Sequence, residues 1–387
     1  MPAPAGDSRR SARPPRSALF AAAALAALAG TLAARQGPPT PRAEAAPRAY
    51  LAYVAAESDD EVDVARFDGE RLVVLRRIPV GRYEGEIDGP HGIAIDAARG
   101  RWYVSIAHGR PFGFVQAFAT GTDEPLGQAE VGLFPATMSV APDGHLFVAN
   151  FNLHGDPVPG FVSVVATDAL SEIAAVETCE KPHGSRVSPD GGAHYSVCVG
   201  DDQLVEIGTR DLRVRRRLSL APGRERGLPP EAVRNPGADG GDRCAPTWVQ
   251  PDPSGRRLYV ACNALGRVLE VEVGDWRIAR RFETGAGPYN LDVTPDGRRL
   301  VVTVKGEARV GVWDLASGRE VATVPSSRRL PHGVAISDDS RYAFVSVEGV
   351  GSEPGALDVI DLDAGRRVAS ADVGRQAGGI GVLRADG

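Results

Sequence analysis

The sequence predicts an all-β protein, a seven-bladed β-propeller preceded by an N-terminal export segment. The 387-residue chain is 43% hydrophobic but only 6% aromatic, and it contains 46 glycines and 30 prolines. This composition is typical of many short strands joined by tight turns. A segment of about 45 residues recurs along the chain, which is the usual length of a four-stranded propeller blade. A charge-free apolar run near the N terminus follows a cluster of arginines, as in secreted proteins.

The N-terminal segment has the layout of a secretory signal. Arginines between Arg9 and Arg16 precede an apolar run from Ala18 to Ala34, and cleavage is predicted after Ala33 or Ala45. We therefore divide the chain into a signal peptide (1–34), a Pro/Ala-rich linker (35–48) and the propeller (49–387). The alternative is an uncleaved membrane anchor, because the run is near the minimum length of a spanning helix. The predicted location is periplasmic or secreted, and membrane contact requires the uncleaved form.

The internal repeat begins each time with a proline, and each copy predicts four strands. A short apolar strand follows the proline, and a Pro-Asp-Gly turn such as Pro295–Gly297 leads to a β-branched and aromatic second strand. Two further strands complete the unit. A Gly-, Pro- and Arg-rich insertion of about residues 222–242 lies in the fourth blade. The opening prolines are Pro90, Pro135, Pro182, Pro246, Pro288 and Pro331.

The two ends of the propeller segment predict how the ring closes. Residues 50–80 supply a second, third and fourth strand with no first strand before them, whereas Gly379–Leu383 supply a first strand with nothing after it. Pairing these segments makes one composite blade from both termini. This closure removes the open sheet edges that would otherwise need protection, and it brings the count to seven blades.

Two second-strand segments carry a resemblance to a known family. Leu258-Tyr259-Val260-Ala261-Cys262-Asn263 and Leu146-Phe147-Val148-Ala149-Asn150, together with the Pro-Asp-Gly turns, resemble the signature of the YVTN family of β-propellers. That family includes YncE-like periplasmic and surface-layer proteins. The resemblance implies a seven-bladed propeller over about residues 48–387. Related propellers bind haem or copper, hydrolyse lactones, or only bind partners, so the resemblance leaves the function open.

The four cysteines occupy related positions in two repeats. Cys179 and Cys198 flank Pro182, and Cys244 and Cys262 flank Pro246. Because the first two strands of a blade are antiparallel, we expect each pair to lie close together within its own blade. In an oxidising compartment this predicts the disulfides Cys179–Cys198 and Cys244–Cys262. A thiolate metal site and free buried thiols are the alternatives.

Three histidines directly follow opening prolines and are candidate metal ligands. With the composite blade as blade 1, His91, His183 and His332 belong to blades 2, 4 and 7, a nearly trigonal arrangement around the channel. One interpretation is a site that binds Cu, Zn or a cofactor. The other is that histidine is a turn-compatible residue at this repeat position and binds no metal. Six polar residues at the ends of second strands are expected on the same channel-mouth face: His108, Asn152, Asn263, Lys305, Glu348 and Glu57.

Three functional hypotheses follow from these residues. The first is an extracytoplasmic binding or scaffold module that contacts a protein or small-molecule ligand with its channel-mouth face. The others are a metal- or cofactor-binding redox propeller and a lactonase-like hydrolase that uses Glu348 and Arg186. The sequence contains no Gly-x-Ser-x-Gly, His-Glu-x-x-His or phosphate-loop lysine motif. Sequence motifs therefore do not decide whether the protein is an enzyme.

The charge distribution argues against one class of partner. The first 45 residues hold six of the 44 basic residues and only two of the 50 acidic ones, so the remaining chain is acidic. An acidic body without a basic patch is unsuited to binding nucleic acid. We expect a monomer.

Overall fold

Seven antiparallel sheets form the described part of the protein. A computed structural model describes residues 48–83 and 85–385. The predicted signal peptide, its cleavage sites and nearly all of the linker lie outside these residues. Within the described ranges, no helix is long and apolar enough to cross a membrane.

Each sheet is one blade, and its strands follow one another in the chain except in blade 1. Blade 1 comprises β1 (Tyr50–Ala56), β2 (Glu61–Phe67), β3 (Leu72–Pro79) and the C-terminal strand β29 (Ala377–Arg384). Blade 2 comprises β4 (Pro90–Asp96), β5 (Arg101–Ile106), β6 (Gly113–Ala119) and β7 (Pro125–Val131). Blade 3 comprises β8 (Pro135–Val140), β9 (His145–Asn150), β10 (Pro159–Ala166) and β11 (Ser171–Glu180).

The remaining blades repeat this plan, with one extra strand in blade 4. Blade 4 comprises β12 (Pro182–Val187), β13 (Ala193–Cys198), β14 (Gln203–Gly208), β15 (Val214–Ser219) and β16 (Arg226–Leu228). Blade 5 comprises β17 (Pro246–Pro251), β18 (Arg257–Cys262), β19 (Arg267–Glu272) and β20 (Arg277–Glu283). Blade 6 comprises β21 (Pro288–Val293), β22 (Arg299–Val304), β23 (Arg309–Asp314) and β24 (Arg319–Pro325). Blade 7 comprises β25 (Leu330–Ile336), β26 (Tyr342–Glu348), β27 (Gly355–Asp361) and β28 (Arg366–Val373). Short 3₁₀ turns cover Ala97–Arg99, Pro236–Ala238, Asn263–Leu265 and Lys305–Glu307.

The predicted composite blade is confirmed. β29 pairs antiparallel with β1, with Leu51 opposite Leu383 and Val54 opposite Ile380. The first strand of every blade contacts the first strand of the next, in the closed order β29, β4, β8, β12, β17, β21, β25 and back to β29. These strands therefore surround the central channel. The seven-bladed propeller predicted from the sequence is confirmed.

The hydrophobic core lies between neighbouring blades. One cluster joins Trp248 and Tyr259 of blade 5 to Leu291 and Leu300 of blade 6. Another joins blade 1 to blade 7 through residues such as Tyr50 and Phe344. Alternate side chains of each strand thus face the sheets on either side, as period-2 strands require. This packing fixes the inner strands whose first residues form the candidate site.

The two predicted disulfides are present, but one prediction about their placement is wrong. Cys244 and Cys262 are joined at a Cα–Cα distance of 4.5 Å, and both belong to blade 5. Cys179 and Cys198 are joined at 5.9 Å. Cys179, however, lies in β11, the outer strand of blade 3, so this bridge connects blade 3 to blade 4. The expectation of two bridges within single blades failed because the outer strand runs on almost to the next opening proline.

The insertion in blade 4 adds a fifth strand to that sheet. β16 pairs antiparallel with β15, with Leu218 opposite Gly227. Beneath it, the buried Arg217 guanidinium donates hydrogen bonds to the carbonyl oxygens of Pro230 (2.6 Å) and Thr178 (2.7 Å). The insertion is therefore attached to the propeller by backbone and buried side-chain contacts.

Candidate functional site

Five of the residues that directly follow an opening proline line the channel mouth, and three of them are the predicted histidines. His91, His183 and His332 begin the inner strands of blades 2, 4 and 7 and are all buried. The ring of His91 lies 6.1 Å from that of His183 and 5.6 Å from that of His332, centroid to centroid. The structure therefore brings the three imidazoles together at one end of the channel.

Tyr289 occupies the same repeat position in blade 6 and completes this cluster. Its ring lies 5.8 Å from that of His183 and 4.6 Å from that of His332. Its hydroxyl lies 3.3 Å from His183 Nε2. Tyr289 is not among the residues predicted from the sequence, because tyrosine is not a usual Cu or Zn ligand. Its position after Pro288 was the signal that could have found it.

Glu57 connects two histidines at the edge of the cluster. It follows β1, and its Oε2 accepts a hydrogen bond from His91 Nδ1 (2.9 Å), while its Oε1 lies 2.7 Å from His108 Nε2. Burial alone would raise the pKa of Glu57, but hydrogen bonds to His108 and His91 outweigh it and lower the pKa to about 2. The hydrogen bond to Glu57 in turn raises the pKa of His108. Glu57 is thus a carboxylate, which can only accept, so His91 carries its proton on Nδ1.

An ion pair stands on the neighbouring blades 6 and 7. Lys305 Nζ lies 2.6 Å from Glu348 Oε1 and 4.5 Å from the centroid of the Tyr289 ring. The Glu348 side chain is 15% exposed, and its Oε1 also lies 3.7 Å from His332 Nε2. Glu348 is therefore a half-buried member of the site, paired with Lys305.

Burial keeps two of the imidazoles neutral. It lowers the pKa of His183 to about 3. Burial also lowers the pKa of His332 well below its ordinary value, with Lys305 adding to the effect. His183 Nδ1 donates a hydrogen bond to the carbonyl oxygen of Thr247 at 2.8 Å. At neutral pH these rings present neutral nitrogen atoms, so they can hydrogen-bond a ligand without adding charge.

Metal binding by the three histidines stays a prediction. In the described part of the chain, the ligand atoms of the three histidines do not all lie within 4.8 Å of one another. Among the described residues, the cluster that meets this distance consists of Cys179, Cys198 and Asp201. Its two cysteines are joined in a disulfide and so offer no thiolate. Closing the histidines around Cu or Zn would require movement of their rings, and Nδ1 of His91 and of His183 already have partners.

The cluster forms the floor of a cavity of about 320 Å³ at the channel mouth. Its volume is at the lower end of the range for small-molecule sites. The lining residues are Glu57, His91, Phe134, Phe151, Leu153, His183, Val199, Thr247, Tyr289, Lys305, His332, Glu348 and Gln376. Below it, His91 and His332 also line a second cavity of about 20 Å³ within the channel, which is room for about one water molecule.

Several buried polar atoms around the lower cavity have no hydrogen-bond partner among the described residues. They include His91 Nε2, His332 Nδ1 and Asn290 Oδ1. An unsatisfied buried polar group is costly and in functional proteins often marks a ligand or water position. These atoms therefore identify the base of the mouth as a polar binding position.

The remaining predicted residues lie outside the mouth cavity or below it. Asn152 and Asn263 use their amide groups on local backbone, donating to the carbonyl oxygens of Asp156 (3.0 Å) and Pro288 (3.2 Å). Neither lines the cavity. Arg186 lines the lower channel, where its Nε donates to Gln250 Oε1 at 2.8 Å, so it does not stand beside Glu348 at the mouth. His108 lies behind Glu57, and its ring is 5.5 Å from that of His154.

Comparisons with known proteins support the fold. No protein-family model and no curated protein matches the chain. Among solved structures, a periplasmic gluconolactonase of Pseudomonas aeruginosa aligns with a TM-score of 0.64 and 20% identity, covering 87% of this chain and 99% of that one. Hydrazine synthase of Kuenenia stuttgartiensis aligns with a TM-score of 0.58 and 20% identity, covering 73% of this chain and 81% of that one. At this identity the similarity establishes the propeller architecture, and membership of the YVTN family stays a prediction.

Proposed function

We propose that this protein is an exported hydrolase that opens a small cyclic ester, a lactone, in the mouth cavity. The observation that carries the proposal is the state of His91. Its Nδ1 is fixed by the Glu57 carboxylate, while its buried Nε2 has no partner in the described chain. The residue lines both cavities. A carboxylate that orients a histidine in this way prepares the opposite nitrogen to act as a general base. The fold shared with a protein named as a gluconolactonase agrees with this chemistry.

In the proposed reaction, three groups at the cavity have separate roles. A water molecule attacks the lactone: its oxygen bonds to the carbonyl carbon while His91 Nε2 accepts one of its protons. The developing negative charge on the carbonyl oxygen is stabilised by the Lys305 ammonium and the Tyr289 hydroxyl. Burial raises the pKa of Tyr289, so that hydroxyl keeps its proton. The ring C–O bond then breaks, and the proton on His91 passes to the leaving oxygen to give a hydroxy acid.

Location outside the cytoplasm is part of the proposal. Two disulfides join all four cysteines, and structural disulfides persist in oxidising compartments. The solved gluconolactonase of similar fold is named as periplasmic. The apolar run from Ala18 to Ala34 would supply the export signal.

The test is hydrolysis of γ-butyrolactone, glucono-δ-lactone and a γ-lactone with a six-carbon side chain, measured by proton release, with wild type and His91→Gln. Loss of the general base should lower kcat by about 100-fold or more. His145→Gln is the matched control because His145 begins β9, away from the mouth, and pairs with Asp143. It should leave the rate unchanged. Absence of hydrolysis in the wild type would contradict the proposal and favour the binding-module hypothesis.

Elemental analysis of the same preparation tests the metal hypothesis. The proposed mechanism uses protein groups alone, so we expect no stoichiometric metal. Stoichiometric Cu or Zn in wild type that is lost in His183→Ala would overturn the water-and-base mechanism and support a metal centre at His91, His183 and His332.

A further inference from the structure

The mouth cavity has two walls of different chemistry. Blades 1, 6 and 7 supply the polar wall, which consists of Glu57, Gln376, Lys305 and Glu348. The opposite wall comes from the loops around blades 3 and 4 and is apolar. It consists of Phe134, Phe151, Leu153 and Val199. A ligand that fills the cavity therefore meets charge on one side and hydrocarbon on the other.

Backbone hydrogen bonds hold the apolar wall in place. The amide of Phe151 donates to the carbonyl oxygen of Phe134 at 2.8 Å, and the amide of Asn152 donates to that of Leu133 at 3.0 Å. The two aromatic rings pack edge to face with centroids 5.8 Å apart. The Phe151 ring also lies 5.1 Å from that of His183, next to the proposed reaction centre. The wall thus exists before any ligand binds, which lowers the entropy cost of binding.

Further apolar side chains are exposed in the loops at the mouth end of the propeller. Leu153 is 41% exposed although it lines the cavity. Val158 in the same loop is 51% exposed, and Phe112 in the neighbouring loop of blade 2 is 47% exposed. Leu153 therefore presents hydrocarbon both inside the cavity and at its opening.

We propose that the substrate is a lactone carrying an alkyl or aryl substituent, rather than a polyhydroxylated sugar lactone. This inference rests on the proposed function and names its substrate class. The lactone ring would lie against His91 and the polar wall, with the substituent on Phe151, Leu153 and their neighbours. A sugar lactone would place hydroxyl groups against the apolar wall without hydrogen-bond partners, which disfavours its binding.

The test is a series of γ-lactones whose side chain lengthens from none to six carbons, with glucono-δ-lactone for comparison. We expect kcat/KM to rise about threefold for each added methylene until the wall is covered. Leu153→Ser should flatten this dependence, so that the six-carbon lactone loses about tenfold more than γ-butyrolactone does. Val321→Ser is the matched control, because Val321 is 58% exposed in the outer strand β24 and should leave the dependence unchanged.

Calorimetric binding of the corresponding lactams separates this inference from the proposed function. These compounds keep the ring and side chain but resist hydrolysis. Affinity that grows with chain length in the absence of any lactone hydrolysis would contradict the hydrolase and support the apolar ligand class. Hydrolysis with glucono-δ-lactone as the best substrate, and no dependence on chain length, would contradict this inference and leave the hydrolase in place. If no lactone is hydrolysed and no lactam binds, both this inference and the proposed function are overturned.

Discussion

At the scale of single residues, Glu57 shows how one carboxylate organises the mouth. It is 7% exposed and serves two histidines at once, His91 facing the cavity and His108 behind it. In the sequence Glu57 was one of six polar residues expected on this face, with nothing to indicate its two partners. Its role depends on the approach of loops from blades 1 and 2, which a strand pattern does not specify.

The substitution Glu57→Gln tests this positioning role. Glutamine has a similar size but no charge, so His91 should lose its fixed orientation and kcat for lactone hydrolysis should fall about tenfold or more. The pKa of His108, which the Glu57 hydrogen bond raises, should fall toward its ordinary value in an NMR titration. Glu124→Gln is the control, because Glu124 is exposed in a turn of blade 2. An unchanged His108 titration would contradict the assignment.

His194 makes a separate prediction about acid stability. It is fully buried in β13, its Nε2 lies 2.7 Å from Ser185 Oγ, and burial lowers its pKa to about 3. The unfolded chain binds a proton on this histidine near pH 6.5 and the folded chain does not, so stability falls as pH decreases from 6.5 toward 3. Replacing His194 with Gln should make the loss of unfolding free energy between about pH 6.5 and about pH 5 smaller by about 2 kcal/mol. Urea denaturation at both pH values measures this difference, and an equal loss in both proteins would refute the assignment.

At the scale of strands and loops, the sequence predicts regular elements well and connections poorly. The opening prolines and Pro-Asp-Gly turns placed the strands because turn chemistry and alternation are local properties. The fifth strand β16 was missed because the insertion is rich in Gly and Pro and shows no alternation. The bridge from β11 to β13 was assigned to one blade because the length of an outer strand depends on its neighbours. Tyr289 occupies the same repeat position as the three histidines, so its place at the mouth was predictable, although its residue type does not indicate a metal site.

The disulfide between blades 3 and 4 should contribute measurably to stability. Cys179 and Cys198 are 19 residues apart, and the chain-entropy treatment gives about 3 kcal/mol for a loop of this size. The double variant Cys179→Ala/Cys198→Ala should lose about that much unfolding free energy in guanidinium. It should also show faster amide exchange in β11 and β13. The double variant Cys244→Ala/Cys262→Ala is the comparison, because its bridge lies within blade 5 and should leave exchange in β11 unchanged. Reactive thiols in the unfolded, unreduced wild type would argue against both bridges.

At the scale of the whole molecule, stability depends on joining the two ends of the chain. The pairing of β29 with β1 was predictable because the N-terminal segment lacks the first strand of a blade and the C-terminal segment consists of a single first strand. The ring in turn placed three histidines at a common mouth. Which atoms face the cavity could not be derived, since that depends on side-chain contacts among several blades.

A chain that ends after Gln376 should fail to fold. It would leave the edge of β1 unpaired and the channel open between β25 and β4, so we expect aggregation, or loss of the cooperative thermal transition in circular dichroism. A circular permutant is the matched control: residues 377–385 are joined by a short turn ahead of residue 48, and the new C terminus is Gln376. The amide of Ala385 already donates to the carbonyl oxygen of Ala49 at 2.9 Å, so the two ends are adjacent. The permutant should fold, whereas a stable truncated chain would contradict the role of closure.

The composite blade also determines where attachments can be made. Glu57 and Gln376 stand at the mouth ends of β1 and β29, whereas Tyr50 and Arg384 pair at the opposite ends of the same strands. Strands of this length separate the two ends by about 20 Å. A dye or affinity tag coupled beyond Arg384 would therefore lie at the end of the propeller opposite the cavity. Protein immobilised through this end would keep the cavity open, so ligand entry could be measured.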